Sequence, residues 1–203
     1  MSTLKILSGG AMKSLMVEAS PLFERQSGIE VETKFALTSV LQKEIEAGAA
    51  FDIALLPRPE LDALAKMGKI AAGSQTDITR SAVGFAVRAG APKPDIGTVA
   101  ALKRALLAAR TIGYSDGPSG AYIAALLQRL GEAEVGMQQI VAILSVKGAE
   151  LVGPLPSELQ NIIVYAAALA AGSQNAAAAW AFIGFMGKPE VVDLIRAKGM
   201  EPG

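Results

Sequence analysis

The chain has 203 residues, enough for one or two small domains, and 51% of them are hydrophobic, so a substantial core can form. Its 19 lysines and arginines equal its 19 aspartates and glutamates, and this net charge of zero argues against nucleic-acid and acidic-membrane partners. Because the chain has neither His nor Cys, Ser-His-Asp and Cys-His nucleophiles and imidazole or thiolate zinc sites are excluded. We predict no metal site.

The sequence predicts neither a signal peptide nor a membrane span. Met1-Ser2-Thr3 leads directly into the first predicted strand, so we expect no signal peptide in this sequence. The longest apolar run, residues 162–171, is shorter than the roughly 18 residues of a membrane span.

The first predicted unit is a strand, a small-residue turn and a helix over residues 4–28. The helix has apolar residues at the i, i+3, i+4, i+7 spacing of one face, and Gly28 lies where a left-handed C-terminal cap is expected. The turn Ser8-Gly9-Gly10-Ala11 leaves backbone N–H groups of the helix start unpaired, which favours a negatively charged ligand. A plain strand-to-helix connection is the alternative.

Two further strand–helix pairs follow. Residues 29–35 alternate as a half-buried strand does, and the next helix is predicted from about Val40 to Ala47, with Ser39 and Gln42 as a capping box. Residues 51–56 are nearly all apolar, as in an inner parallel strand, and Pro59 suits the start of a helix that runs to Met67. This β-α-β-α-β-α order predicts a parallel sheet with ligands at the carboxyl ends of its strands.

The rest of the chain predicts a second domain and a return to the first. We place the first crossing around residues 79–87, within an apolar strand, and Thr98 at the start of a helix that ends near Ala109. A third small-residue turn, residues 115–120, follows a short strand. The remaining elements are strands over residues 81–87, 111–114, 134–137, 150–152 and 161–170, and helices over residues 121–130, 138–144, 174–186 and 190–197.

The three turns present hydroxyl and backbone N–H donors that suit a small anion. If the first two lie in one lobe and the third in another, they can face each other across a cleft. Ser39 and Ser119 could instead only cap their helices, and Arg58, between two prolines, could be a solvated arginine rather than a carboxylate ligand. The predicted anion contacts are Ser8, Gly10, Ala11, Thr38, Ser39, Ser119 and Gly120, with Arg58 and Tyr114 as further candidates.

Short motifs in the same order along nearly the whole chain carry a family resemblance. They are residues 7–12, 41–48, 51–53, 84–95, 114–120, 136–140, 150–160 and 196–202. With them the chain resembles the molybdate-type extracellular solute-binding proteins of ABC transporters, which have the type II periplasmic-binding-protein fold.

The resemblance implies an α/β fold of two lobes, each a mostly parallel sheet flanked by helices, joined by two crossing strands and closing on a ligand. Lobe 1 would comprise residues 1–80 and 166–203, and lobe 2 residues 81–165. The resemblance further implies that the protein captures a small anion without catalysing a reaction. We therefore expect neither an enzyme nor a cofactor. It implies delivery to an ABC permease in the membrane and a periplasmic or extracellular location. We expect a monomer.

The sequence departs from the family pattern in two places. One departure affects the predicted identity of the ligand, and the other affects the length of lobe 2. Family members take one hydroxyl from the first turn, where this chain has Ala11 with Ser8 nearby, and a second hydroxyl that Thr38 or Ser39 can supply. The ligand is then a molybdate-like oxyanion or a small organic acid. Near residues 116–122 and 131–132 the chain is also shorter than the family pattern. Either lobe 2 is trimmed, or segments are absent from this sequence. A cytoplasmic ligand-sensing domain of the same fold is the alternative function.

Overall fold

The computed structural model describes residues 3–109, 111–114 and 135–203, and it confirms the predicted α/β fold. The chain forms two compact units. Unit 1 comprises Met1–Arg80 and Val164–Gly203, and unit 2 comprises Ser81–Ile163. Each unit has its own sheet and its own buried cluster of apolar side chains.

Unit 1 begins with the predicted alternation of strands and helices. Gly28 ends the first helix at a φ of +70°, as its left-handed cap was predicted to do. The elements are β1 (Thr3–Gly9), a 3-10 turn (Gly10–Met12), α1 (Lys13–Ser27), β2 (Glu30–Ala36), α2 (Thr38–Glu46), β3 (Ile53–Pro57) and α3 (Arg58–Lys66).

The long strand β4 (Thr76–Arg88) carries the chain from unit 1 into unit 2, and β8 returns it. The elements after β4 are α4 (Val99–Ala108), β5 (Ile112–Tyr114), β6 (Val135–Gln139), α5 (Ile140–Leu144), β7 (Ala149–Pro154), a 3-10 turn (Ser157–Leu159), β8 (Ile162–Leu169), α6 (Ala176–Met186), α7 (Pro189–Ala197) and β9 (Glu201–Pro202).

The sheet of unit 1 has the strand order β2-β1-β3-β8. Strands β2, β1 and β3 run parallel, and β8 is antiparallel to β3. Gly9 pairs with Ala36, and Ser8 pairs with Leu55, so the carboxyl ends of β1, β2 and β3 lie at one edge. The sequence analysis missed β9, which pairs with β4 through two residues, because so short a strand has no periodic pattern.

Two groups of helices cover the sheet of unit 1. Helices α2 and α3 pack against Leu7, Ala54 and Leu56 of the sheet in one apolar cluster. Helices α1, α6 and α7 contact one another, and Phe23 packs edge-on against Phe182 with 5.1 Å between ring centroids. This burial on both faces explains why β3 is apolar throughout.

In unit 2, β4 lies between β6 and β7 and is antiparallel to both, while β5 pairs parallel with β6. Gly84 of β4 pairs with residues on both sides. A Cβ atom there would lie 2.7 Å from Ile140 Cγ1 and 2.9 Å from Leu151 Cδ1, so the close packing requires glycine. Thr98 caps α4 as predicted, because its Oγ1 accepts a hydrogen bond from the Ala101 N–H at 3.1 Å.

No helix in the described ranges is long and apolar enough to cross a membrane.

Candidate functional site

The carboxyl-end edge of the unit 1 sheet brings the first two predicted turns together. Gly9 ends β1, and a Cβ atom on it would lie 3.5 Å from Thr38 Oγ1, 3.4 Å from Tyr165 Cε1 and 3.9 Å from the Leu55 carbonyl oxygen. The ends of β1 and β3, the start of α2 and the middle of β8 therefore meet around one glycine.

The first turn presents backbone rather than side-chain donors. Gly10 and Ala11 are the first residues of the 3-10 turn that leads into α1, so their N–H groups have no partner within the helix. Gly10 is exposed, and a Cβ atom there would meet no atom within 4 Å. Ser8 differs, because its side chain is 0% exposed and its hydroxyl donates to the Gly9 carbonyl at 3.3 Å. Its predicted ligand contact stays a prediction.

The second turn, at the start of α2, contains two hydroxyl groups, those of Thr38 and Ser39. Leu37 occupies the N-cap of α2 and provides no side-chain acceptor, so the capping box predicted for Ser39 and Gln42 is wrong. The helix begins at Thr38, and the Gln42 amide donates to Glu46 at 3.1 Å instead. Within the described part of the chain, neither the Thr38 nor the Ser39 hydroxyl has a hydrogen-bond partner. Their N–H groups are also without a helical acceptor.

Arg58 begins α3 at the carboxyl end of β3, the position that the sequence indicated. Its guanidinium forms an ion pair with Asp77, and its Nε lies 3.6 Å from Asp62 Oδ1. A ligand carboxylate would therefore compete with two carboxylates of the protein. The predicted role of Arg58 as a ligand contact stays a prediction.

Glu60 lies on the first turn of α3, at the same edge of the sheet. Burial raises the pKa of its carboxyl group, and a hydrogen bond with its own backbone N–H opposes this shift. Its Oε2 is buried and has no hydrogen-bond partner among the described residues. A carboxylate with a raised pKa and an unpaired oxygen is the kind of group that can accept and return a proton.

Tyr165 is the residue that the sequence analysis missed. It is 3% exposed, pairs with Pro57 across the β8–β3 ladder, and places Cε1 beside Gly9. The signal that could have found it is a single tyrosine followed by Ala166, Ala167 and Ala168, since small neighbours leave room beside an aromatic ring. A phenol at this edge adds a polar group to the N–H and hydroxyl donors.

The third predicted turn cannot be placed with the other two. Ser119 and Gly120 lie outside the described residues, as do Asp116 and Tyr122. The backbone of Tyr114 ends β5, but its side chain also lies outside the described part. The contacts predicted for these residues stay predictions.

A pocket of about 410 Å³ lies at the opposite edge of the unit 1 sheet, beside the C-terminal ends of α2 and α3. Asp52 lines it, and the carboxylate accepts hydrogen bonds from the Lys5 N–H at 2.9 Å, the Ser173 hydroxyl at 2.6 Å and the Asn175 amide at 3.3 Å. Helix C-termini present carbonyl oxygens, which disfavour an anion. The described residues include no group of three potential metal ligands.

Comparison with known proteins places the chain in a family. The model of a family described as bacterial extracellular solute-binding protein matches residues 4–144 and 129–201, nearly the whole chain. This match confirms the family resemblance that the sequence motifs carry.

Two solved structures share the fold. A periplasmic molybdate-binding protein of Azotobacter vinelandii superposes with a TM-score of 0.75 at 16% identity, over 98% of this chain and 99% of that one. The sulfate-binding protein of Mycobacterium tuberculosis gives a TM-score of 0.80 at 18% identity, over 100% of this chain and 87% of that one.

A curated relative corrects one prediction. A Pseudomonas protein named aconitate isomerase is 28% identical over 231 residues, which cover 99% of this chain and 88% of the relative. The prediction that this chain is not an enzyme is contradicted by that relative. The aligned length also exceeds the 203 residues of this chain, so the alignment contains positions that this chain lacks.

Proposed function

This chain belongs to the bacterial extracellular solute-binding proteins, and we propose that it binds a small polycarboxylate anion at the carboxyl-end edge of the unit 1 sheet. The observation that carries the proposal is the meeting of Gly9, Thr38 and Tyr165, beside two helix starts that have no side-chain cap in the described ranges. One carboxylate group would accept hydrogen bonds from the N–H groups of Gly10 and Ala11 and the hydroxyls of Thr38 and Ser39.

The strength of such contacts suits a solute-binding protein. Each charge-assisted hydrogen bond contributes about 1.5–3 kcal/mol, and helix N-termini add a favourable dipole for negative charge. Micromolar binding corresponds to a binding free energy of about −8 kcal/mol. Four such bonds are compatible with that value after the cost of association is subtracted.

Two observations favour an organic acid over an inorganic oxyanion. Leu37, 59% exposed, and Val40, 42% exposed, lie beside the Thr38 and Ser39 donors, where they can contact the hydrocarbon part of a ligand. The Pseudomonas relative is named for aconitate, an unsaturated tricarboxylate. We therefore propose polycarboxylates of the aconitate class as the ligands.

We propose transport as the role of this binding. By analogy with the family, the loaded protein would deliver its ligand to an ABC permease from a periplasmic or extracellular position, and it would act as a monomer.

The second candidate function is isomerisation of the same ligand, which the name of the Pseudomonas relative favours. A base would remove a proton from the methylene carbon of aconitate, the double bond would shift by one carbon, and the proton would return to the former alkene carbon. No co-reactant is consumed. Glu60 and Tyr165 are the candidate groups for this transfer, since the chain has no His or Cys.

Isothermal titration calorimetry tests the proposed binding. We expect heat of binding with trans-aconitate or citrate and none with molybdate or sulfate. The Thr38→Val variant keeps the side-chain volume but removes the hydroxyl, so its affinity should fall at least tenfold. Binding of molybdate and sulfate alone, or no binding by any ligand, would contradict the proposal.

Proton NMR tests the proposed isomerisation. The protein is incubated with trans-aconitate in deuterium oxide, and the spectrum is followed over time. Isomerisation by proton transfer would produce cis-aconitate with deuterium on carbon, and Glu60→Gln or Tyr165→Phe would slow its appearance. Binding without any cis product would exclude isomerisation and leave transport as the function.

A further inference from the structure

Lys13 stands at the edge of the sheet where the proposed ligand site lies. It is the first residue of α1 and follows the Gly10–Met12 turn directly. Its side chain is exposed, and its Nζ lies 6.0 Å from the centroid of the Phe35 ring. No carboxylate of the described residues lies within 4.0 Å of this ammonium group.

The ring that Lys13 contacts belongs to the same edge. Phe35 pairs with Ser8 in the β1–β2 ladder, and the chain continues from it through Ala36 and Leu37 to Thr38. The Lys13 ammonium group therefore lies near the carboxyl end of β2, where Phe35 is three residues before the Thr38 that begins α2. A cation over an aromatic face is held by the ring quadrupole, which limits the positions that the long side chain samples.

The nearby Lys34 provides a contrast. It lies one residue before Phe35 in β2, and its Nζ is 2.7 Å from Glu44 Oε1, so its charge is balanced within the protein. Lys13 has no ion pair with any residue that the structure describes. A cation that is left unpaired beside neutral anion donors provides charge for a ligand that carries more than one negative group.

We propose that Lys13 is a specificity-determining residue that binds a second carboxylate of the ligand, while the N–H and hydroxyl donors hold the first. The inference rests on the proposed binding function and deepens it. It selects di- and tricarboxylates over monocarboxylates, because a ligand with one carboxylate satisfies the donors and leaves Lys13 without a partner.

The test compares trans-aconitate with crotonate, a planar unsaturated acid with one carboxylate, by calorimetry at low salt. We expect Lys13→Gln to weaken trans-aconitate binding about tenfold and crotonate binding less than twofold. Lys13→Arg keeps the charge and should stay within about threefold of the unmodified protein for both ligands. Lys34→Gln is the matched control and should change neither affinity.

The outcomes separate this inference from the proposed function. If the unmodified protein binds neither acid, the proposed function fails and the inference falls with it. If the protein binds trans-aconitate and Lys13→Gln binds it equally well, or loses both acids to the same extent, only the assignment of Lys13 is overturned. Thermal unfolding of the unliganded variants confirms that each is folded, since an exposed lysine without an ion pair should change the midpoint little.

Discussion

Helices α2 and α4 both have a threonine at their start, and the two hydroxyl groups have different surroundings. At α4, Thr98 occupies the N-cap and its oxygen accepts the Ala101 N–H at 3.1 Å. At α2, Leu37 occupies the N-cap, and Thr38 and Ser39 follow it without hydrogen-bond partners in the described part of the chain. Helix α3 provides a third case, because Glu60 binds its own backbone N–H at the helix start.

The start of α4 is capped by a side chain of the protein, whereas the start of α2 has no side-chain cap, and we propose that a ligand takes that place. Capping satisfies N–H groups that would otherwise lack acceptors, and it stabilises a helix by about 1 kcal/mol. Helix α2 does without this stabilisation at the edge where Gly9, Thr38 and Tyr165 meet. An anion bound there would satisfy the N–H groups instead. Four sets of variants test whether the two helix starts differ in function.

Removing both free hydroxyls of α2 should have the largest effect. In the double variant Thr38→Val and Ser39→Ala, we expect the affinity for trans-aconitate to fall about a hundredfold, because two charge-assisted hydrogen bonds are lost. The free energy of unfolding should change by less than about 0.5 kcal/mol, since neither hydroxyl has a hydrogen-bond partner among the described residues. Calorimetry and urea unfolding measure the two quantities. A loss of stability with unchanged affinity would mean that these residues are structural.

Installing a cap on α2 should convert it into a helix start like that of α4. Leu37→Asp places a carboxylate where it can accept N–H groups of the first turn, so the free energy of unfolding should rise by about 1 kcal/mol. The same carboxylate occupies the donors and repels an anion, so ligand affinity should fall about tenfold.

Leu37→Ala is the matched control for that variant, because it removes the apolar side chain without adding an acceptor. It should produce no gain in stability in urea unfolding. If Leu37→Asp bound trans-aconitate as tightly as the unmodified protein, the first turn of α2 would not contact the ligand.

Removing the cap of α4 should lower the stability of the protein without changing its affinity for the ligand. Thr98→Ala leaves the Ala101 N–H without its acceptor, so we expect a loss of about 1 kcal/mol of stability in urea unfolding and no change in ligand affinity. Thr98→Ser keeps the acceptor and should retain most of the stability. Weaker binding in Thr98→Ala would show that the two helix starts are not functionally distinct.

The start of α3 should respond to pH, with the smallest effect. Because the folded pKa of Glu60 is raised, the folded state holds this proton to higher pH than the unfolded state, so stability falls as pH rises through that window. Glu60→Gln removes this dependence. The variant should match the unmodified protein at about pH 4 and be slightly more stable at about pH 8. Equal stability at both pH values would contradict the raised pKa.

Local patterns predicted the element order because each acts over a few residues. Gly28 and Thr98 are examples, since a glycine after a periodic helix and a threonine before one indicate the correct caps. Ser39 shows the limit of such patterns. Whether α2 begins at Val40, as predicted, or at Thr38, as observed, depends on where β2 ends against β1, and that pairing is set by the sheet and not by neighbouring residues.

The site depended more strongly on long-range packing. The sequence indicated Thr38 and the first turn as anion contacts but offered no reason to place Tyr165 beside them. It indicated Arg58 as a candidate carboxylate contact, which stays a prediction, but not the ion pair of Arg58 with Asp77, 19 residues away. The absence of His and Cys led to the prediction that the chain is not an enzyme, which the Pseudomonas relative named aconitate isomerase contradicts.

The sequence by itself determined the α/β class, the order of its elements and the edge of the sheet at which donors collect, because hydrophobic period and turn residues act locally. Only the tertiary structure decided which polar groups are already paired. Thr98, Asp52 and Arg58 have hydrogen-bond or ion-pair partners in the protein, while the side chains of Thr38, Ser39 and Lys13 have no such partner in the described part of the chain. The physical reason is that a hydrogen bond or ion pair needs two groups within a few ångströms, and strand register brings distant residues to that distance.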